Sequence, residues 1–429
     1  MLTLISASLS IQNSSSITIQ NSLFNLFLST VNIIDSTISE IETIETAVRV
    51  TSSTLNITNT NISMISNPAR FDFMLITLDS TLIMNSLIFE NSTSNLFNAR
   101  NTMILINGVK ISNVSSFSDL IKISSSSHAN ITHYETINAT TGTNEQILVS
   151  DSSDVSLSDL EVHDTPELII DVINSNITSI SDLKIHNCLQ AIQIHSSVID
   201  QFENCNLTNN GNVSQRVGGA VYLFDSNVAT MHSNLFINNT ANQGGAIYFQ
   251  CSQVDQCQLN ITDVQFVRNM AVRQGGAIYY DYVRPTLFNV MYQENMAQYG
   301  PNIASYPVKI KLINSTEDDV YLRNVGSGIA YEQTLNFGLY DFDDQIMVLD
   351  NSNQITISAV DSQASSISGT NVGLLSQGVA SFDNLIFVST PGSTNVLYRA
   401  MSKVIDTTKI QNVFGQTISD NNIYIDFRF

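Results

Sequence analysis

Tryptophan is absent from this 429-residue chain; proline occurs six times, cysteine four times, and lysine and arginine together only 17 times. Each scarcity excludes something. The few basic residues stand against 38 acids, leaving a formal charge of −21. That excludes a nucleic-acid surface, because phosphate neutralisation needs clustered Lys and Arg. No run of 18 apolar residues exists, so nothing reads as a membrane-spanning helix. The start, Met1-Leu-Thr-Leu-Ile-Ser-Ala-Ser-Leu9, has no basic segment and passes straight into strand alternation. It reads as a chain lacking its native beginning rather than one carrying a signal peptide. The cysteines lack the paired CxxC spacing of a zinc site, which leaves disulfides or free thiols.

What is abundant is Ser, Thr, Asn and Ile, a composition poor in helix formers and rich in strand and turn residues. The run Asn238-Asn-Thr-Ala-Asn-Gln-Gly-Gly-Ala-Ile-Tyr-Phe249 recurs as Arg268-Asn-Met-Ala-Val-Arg-Gln-Gly-Gly-Ala-Ile-Tyr-Tyr280. A weaker copy ends at Leu223 and a degenerate one follows at Glu294–Ile303. Upstream of the glycines sit Phe236-x-x-Asn239, Phe266-x-x-Asn269 and Tyr292-x-x-Asn295.

Walking back from these copies, one template holds: two apolar residues at alternate positions, a two-residue step, two more, then Asn or Asp. Leu82/Met84/Leu87/Phe89/Asn91 and Ile104/Ile106/Val109/Ile111/Asn113 are examples. The anchors 91, 113, 138, 164, 187, 209, 238, 268 and 294 fall 22 to 30 residues apart, one turn of a solenoid. A further apolar strand follows most anchors, so three strands per coil are expected. Period two puts the anchor on the side of the preceding apolar residues, so it is expected to point inward and hydrogen-bond along the stack. Residues 1–308 therefore read as a right-handed parallel β-helix of about a dozen coils.

The paired motifs, Phe-x-x-Asn then Gly-Gly-Ala-Ile, resemble the repeats of chlamydial polymorphic outer-membrane proteins and of large ciliate surface proteins. That resemblance implies a pectin-lyase-like parallel β-helix. It covers about 100 residues directly.

Near Pro301 and Pro307 the pattern ends. Residues 309–429 read as about seven strands, including Gln345–Leu349, divided by turn clusters, which suits a β-sandwich. Gly338-Leu-Tyr-Asp341, Gly378-Val-Ala-Ser-Phe382 and Pro391-Gly-Ser393 resemble an immunoglobulin-like module of modular surface proteins.

Several candidate sites follow. Cys251 and Cys257 are close enough to clip one loop; Cys188 and Cys205, 17 residues apart, are expected to bridge neighbouring coils. Thirteen Asn-x-Ser/Thr sequons begin at Asn13, Asn56, Asn61, Asn91, Asn113, Asn130, Asn138, Asn176, Asn206, Asn212, Asn238, Asn260 and Asn314. Those at anchors (Asn91, Asn113, Asn138, Asn238) are expected to be buried and unmodified, whereas Asn206, Asn212 and Asn314 fall in loops open to glycosylation. Tyr222, Tyr248 and Tyr279 are expected to face outward on three successive coils, either as a stripe that docks a glycan or protein or as a ladder that stabilises the sheet. Asp341, Asp343, Asp344 and Asp350 crowd one turn, either a Ca²⁺ site or a solvated acidic hairpin. His163 and His186 should stack on successive coils; His128, His133, His195 and His232 have no partner pattern.

The solenoid holds neither the paired aspartates near Gly-His-Gly of a polygalacturonase nor the carboxylate-plus-base set of a pectate lyase. The sequence thus reads as a non-catalytic extracellular or cell-surface protein, structural or adhesive, that packs into a coat or filament. Its expected partners are other proteins, copies of itself or glycans, with no cofactor unless Ca²⁺. A glycan- or calcium-binding adhesin module is the alternative, with a polysaccharide lyase or hydrolase behind it.

Overall fold

Three left-handed residues per coil give this chain its fold. The computed structural model describes residues 2–14, 17–20, 24–42, 46–66, 73–116, 118–126, 128–142, 145–214, 217–253, 256–315, 319–390, 392–414 and 421–428. In its first unit, positive φ recurs at three corners: Ser52, Asp79, Asn101 and Asp151 at one; Asn59, Ser86, His133 and Asp159 at the next; Asn91, Asn113, Asn138 and Asp164 at the third. Their φ values lie between 45° and 56°. Asn and Asp tolerate this region best among residues with a Cβ, which is why they dominate the anchors.

Between corners run parallel strands in register from coil to coil. One face is a thirteen-stranded sheet from Leu2–Ile5 to Ile303–Ala304. The other two faces form one continuous sheet bent at the second corner, where strands such as Thr54–Ser66 and Met103–Ser115 pass straight through the bend. Stacked Ile, Leu, Val and Phe fill the interior; Ile104, Leu157, Ile192, Phe236 and Phe266 have no exposed surface. The architecture is all-β, a right-handed parallel β-helix of about 11 turns.

The anchors do not point inward. Asn91, Asn113 and Asn138 are exposed and Asn238 is half-buried. A left-handed residue breaks the period-two alternation, so the residue after it takes the inward place. At the third corner that residue is Ser92, Val114, Ala139, Thr165, Cys188, Asn210, Asn239, Asn269 and Asn295, each buried. The asparagine ladder exists, one position later than expected. Asn210, Asn239, Asn269 and Asn295 each send Oδ1 to the backbone N–H of the preceding coil, at 2.9–3.0 Å.

The first corner has its own ladder, which periodicity did not reveal. Ser53, Ser152, Ser175, Ser197 and Ser226 are buried. Ser53, Ser175 and Ser197 accept the backbone N–H of Ser29, Ser152 and Ser175, at 2.9–3.0 Å. Their hydroxyls donate to the carbonyl two residues back, as Ser175 does to Ile173 at 2.8 Å. Each hydroxyl thus satisfies two backbone groups that burial at a bend would leave unpaired.

The Gly-Gly repeat has a steric cause. Gly244 adopts φ +63°, where a Cβ would lie 2.2 Å from the Ile247 carbonyl oxygen. A Cβ on Gly245 would lie 2.1 Å from the Gly276 oxygen one coil on. The first glycine is required by the turn and the second by the stacking.

The chain divides into two compact units: Met1–Val272, Gly276–Tyr279 and Pro285–Met296 in the first; Arg273–Gly275, Tyr280–Arg284 and Ala297–Phe429 in the second. The second unit contains an antiparallel sheet of Lys309–Leu312, Leu335–Tyr340 and Val379–Phe382. Five more strands run in the order Val320–Gly326, Asn421–Arg428, Val396–Met401, Gln354–Ala359 and Val372–Leu374; the first pair is parallel and the rest antiparallel. Phe337, Ile357, Phe382, Phe387 and Tyr398 fill its core. The strand expected at Gln345–Leu349 is a turn with a single bridge, Ile346 to Tyr340, because Asp341 accepts the amides of Asp343 and Gln345 and holds the turn. Pro391, part of the immunoglobulin-like resemblance, lies outside the described residues.

Candidate functional site

The outer side of the thirteen-stranded sheet gathers most of the chemistry. Two successive residues are buried at the start of many of its strands, as Leu120 and Ile121 or Ala246 and Ile247 are, and alternation then sends every second side chain outward. Register fixes one outward column as Lys122, Leu148, Asp171, Gln193, Tyr222 and Tyr248. Ring centroids are 5.6 Å apart for Tyr222 and Tyr248, and 5.1 Å for Tyr248 and Tyr279. The three tyrosines stack in one row, but Tyr248 is 7% exposed and Tyr279 1%. Only Tyr222 stays half-open, so burial favours the ladder over a free three-ring stripe.

Two residues extend the row. His195 meets Tyr222 edge-on at 5.4 Å, and Phe224 lies 6.0 Å from His195. His195 therefore has partners, contrary to the expectation, and so do His128, His133 and His232, which meet Asp154, Asp159 and Asp263 at 2.7, 3.3 and 3.4 Å. The signal for His195 was plain alternation, two residues after Gln193, whose side-chain amide contacts the ring. Burial holds the His195 imidazole below its ordinary pKa, with Asp225 opposing. Its ring packs on those of Tyr222 and Phe224.

Asp171 is 6% exposed, and its Oδ1 has no hydrogen-bond partner. Burial first, then the charges of Glu145 and Asp119, push its carboxyl up to about 7. Sequence reading passed over it, since a single Asp in an apolar strand resembles any outward polar position.

The cysteines part ways. Cys251 and Cys257 form a disulfide. It closes a loop inserted at the first corner, where coils such as those at Ser52, Asp79, Asn101 and Asn174 turn on a single left-handed residue. Cys188 and Cys205 are free and buried. Their 17-residue separation sets them at the third and second corners instead of the same corner of adjacent coils. Each thiol points to the carbonyl two residues back, His186 and Glu203, at 3.2 Å. Burial pushes both up to about 12.

The four aspartates of the second unit do not converge. Buried Asp341 accepts the backbone N–H groups of Asp343 and Gln345, at 2.9 Å each, and the Tyr299 hydroxyl. Asp343 pairs with Arg284 at 2.6 Å and accepts the Tyr280 hydroxyl at 2.8 Å. Asp344 takes Lys309 and Lys311, at 2.7 and 2.9 Å, whose bonds hold its carboxyl below the usual range. Asp350 caps Asn353 at 3.0 Å. Among the described residues, three candidate metal-ligand atoms from His, Cys, Asp or Glu approach within 4.8 Å only at Asp225, Cys251 and Cys257, and the two sulfurs there are bonded to each other.

His163 and His186 stack with centroids 5.2 Å apart, and His163 bonds Glu161 at 2.9 Å. Of the candidate glycosylation sites, Asn212 and Asn314 are exposed, while Asn206 lies in the strand Asn206–Thr208 and not in the expected loop, half-buried with its Oδ1 accepting the Thr208 hydroxyl at 2.7 Å. No helix among the described residues is long and apolar enough to cross a membrane.

A family model described as "Right handed beta helix region" matches residues 121–295. No curated protein matches the sequence. Among solved structures, the chain is similar to a tailspike protein mutant of E. coli bacteriophage HK620 in complex with a hexasaccharide. Identity is 9%, coverage 91% of this chain and 81% of that one, and the TM-score 0.26. A double mutant of that tailspike in complex with a pentasaccharide gives 9%, the same coverages and a TM-score of 0.27. A likeness at that TM-score carries no functional argument.

Proposed function

We propose that this chain is a non-catalytic extracellular or cell-surface scaffold that packs into a coat, filament or adhesive layer. The observation that carries this reading is the commitment of its polar side chains. Serine and asparagine rungs run from coil to coil, and the acidic turn of the second unit is tied to cations, tyrosines and turn amides. The Cys251–Cys257 bridge supports an oxidising compartment. So does the placement of the sequon asparagines, which include exposed Asn212 and Asn314. The second unit is read as an immunoglobulin-like sandwich. Support comes from its two sets of strands and from Tyr398, whose hydroxyl bonds the backbone oxygens of Val388 and Ser366 at 3.0 and 3.1 Å, in the manner of a tyrosine corner. The resemblance of the chain's Phe-x-x-Asn and Gly-Gly-Ala-Ile repeats to those of chlamydial and ciliate surface proteins points the same way.

Peptide mapping of the chain secreted from eukaryotic cells tests the reading. Glycans at Asn206, Asn212 and Asn314 and an intact Cys251–Cys257 bridge are expected. A secreted chain with reduced cysteines and bare sequons sinks it.

A glycan-binding adhesin is the second reading, favoured by the half-open His195, Tyr222 and Phe224 cluster. Oligosaccharide binding that is lost in Tyr222→Ala would establish it.

A further inference from the structure

At first corners such as those of Asp79 and Asp151, the exposed left-handed aspartate accepts a side-chain amide from the next coil, that of Asn101 and of Asn174. Asp225 is met differently. The next coil brings it the loop that Cys251 and Cys257 close, and the Ser252 backbone N–H donates to its Oδ1. One carboxylate oxygen of Asp225 and the two sulfurs lie within 4.8 Å of one another.

A fourth atom joins them. The Gln253 carbonyl oxygen lies 3.0 Å from the Cys251 sulfur and 3.8 Å from that of Cys257. Sulfurs bonded to each other carry no proton, so neither approach is a hydrogen bond in the oxidised loop. The same oxygen accepts the Gln256 N–H at 2.9 Å and keeps a second lone pair. Sequence spacing hides this grouping, because beside the two cysteines its members are a carboxylate one coil earlier and a backbone oxygen.

We propose that this corner has two alternative clips: a disulfide when its cysteines are oxidised, and a zinc site when they are reduced. The ligands are the Cys251 and Cys257 thiolates, the Asp225 carboxylate and the Gln253 carbonyl. Tetrahedral zinc takes thiolate at about 2.3 Å, which sets its two sulfurs about 3.8 Å apart. Side-chain rotation reaches that separation with the Cα atoms kept at 6.2 Å. Paired thiolates select zinc over calcium or magnesium.

Opening the bridge consumes two molecules of a thiol of the glutathione class. The first, as thiolate, attacks the Cys257 sulfur, the less buried of the pair, and Cys251 leaves as a thiolate. The second attacks the reductant's sulfur in that mixed disulfide, frees Cys257 and departs as the reductant's own disulfide. Zinc then binds both thiolates, and the two cysteine protons go to solvent. The disulfide clips the loop in an oxidising compartment and zinc clips it in a reducing one. Cys188 and Cys205, buried at other corners, stay outside the site.

Titration of the full chain with cobalt(II), followed by zinc as competitor, tests this. The chain is reduced with a phosphine, which is then removed under argon. It is expected to bind one cobalt, with a sulfur-to-metal charge-transfer band and the visible bands of a tetrahedral ion, and to yield it to zinc. Native mass spectrometry should show one zinc gained and two protons lost, and the oxidised chain should bind neither metal. Cys257→Ser should lose the tetrahedral bands. Asp225→Asn should weaken zinc at least about tenfold, the loss that even an outer partner of a metal can cause. A reduced chain that keeps its strand circular dichroism and binds no cobalt overturns the proposal. Bands unchanged in Cys257→Ser, or an unchanged affinity in Asp225→Asn, overturn it too. If reduction alone abolishes the strand signal, its return on adding zinc supports the proposal and its failure to return overturns it.

Discussion

The side-chain oxygen of Asn269 lies 3.0 Å from both the backbone nitrogen and the side-chain Nδ2 of Asn239, one coil earlier. Asn269 Nδ2 in turn donates to the Phe236 oxygen at 3.0 Å. One buried amide thus satisfies two backbone groups, and the same arrangement repeats along the stack. Asn269→Leu keeps the branched shape and leaves both unpaired. Each buried group left unpaired costs about 1–3 kcal/mol, so a loss of about 2–4 kcal/mol is expected in urea denaturation. A change below about 0.5 kcal/mol would mean that water or a neighbour replaces the rung.

Gly245→Ala should be worse than Gly244→Ala, although only Gly244 needs positive φ. The Cβ at 245 meets the backbone oxygen of Gly276 in the next coil, so coil spacing itself must open. A loss of about 3–5 kcal/mol or failure to fold is expected for Gly245→Ala. Equal thermal stability of the two variants would refute this ranking.

The cysteines should separate chemically. In native protein without reductant, neither Cys188 nor Cys205 should react with a maleimide, because burial removes access and keeps both as thiols. In denaturant, two thiols should label. Replacing both Cys251 and Cys257 by Ser removes a short loop closure worth about 2 kcal/mol. Native labelling of Cys188 faster than global unfolding would contradict the packing.

Asp171 should make stability fall as pH rises. Its folded pKa, about 7, lies above the ordinary carboxyl value, so the folded chain holds the extra proton through that window. Stability from this group is full at acid pH and is lost as pH climbs toward and through about 7. Asp171→Asn should therefore be more stable than wild type at pH 8, with the gap shrinking by pH 5. The check is the urea midpoint of both proteins at each pH; a gap that does not change with pH would discard the idea.

Much of the fold was legible because a solenoid repeats its chemistry. Leu82, Met84, Leu87 and Phe89 announce their inward places by spacing alone, and Phe-x-x-Asn with Gly-Gly marks the later coils. The direction of the anchors was misread because period two holds only within one backbone basin; at Asn91 and Asn113 the left-handed turn shifts the count by one. The serine rungs went unseen because Ser is common throughout the chain, and only stacking distinguishes Ser175 from an exposed serine. Cys188 and Cys205 were paired by sequence distance, which does not say which corner a residue occupies.

What the sequence determined by itself was local and periodic: strands, corners, the coil length, the glycines that no other residue can replace, and the acidic charge. Those follow from backbone sterics and from burying every second side chain. The tertiary structure decided what lies side by side across coils: which Asn is a rung, which cysteines meet, that Tyr248 and Tyr279 are covered, and that one carboxylate oxygen of Asp171 is buried without a hydrogen bond. Such relations depend on register between segments more than twenty residues apart. Only the closed, stacked coil supplies that register.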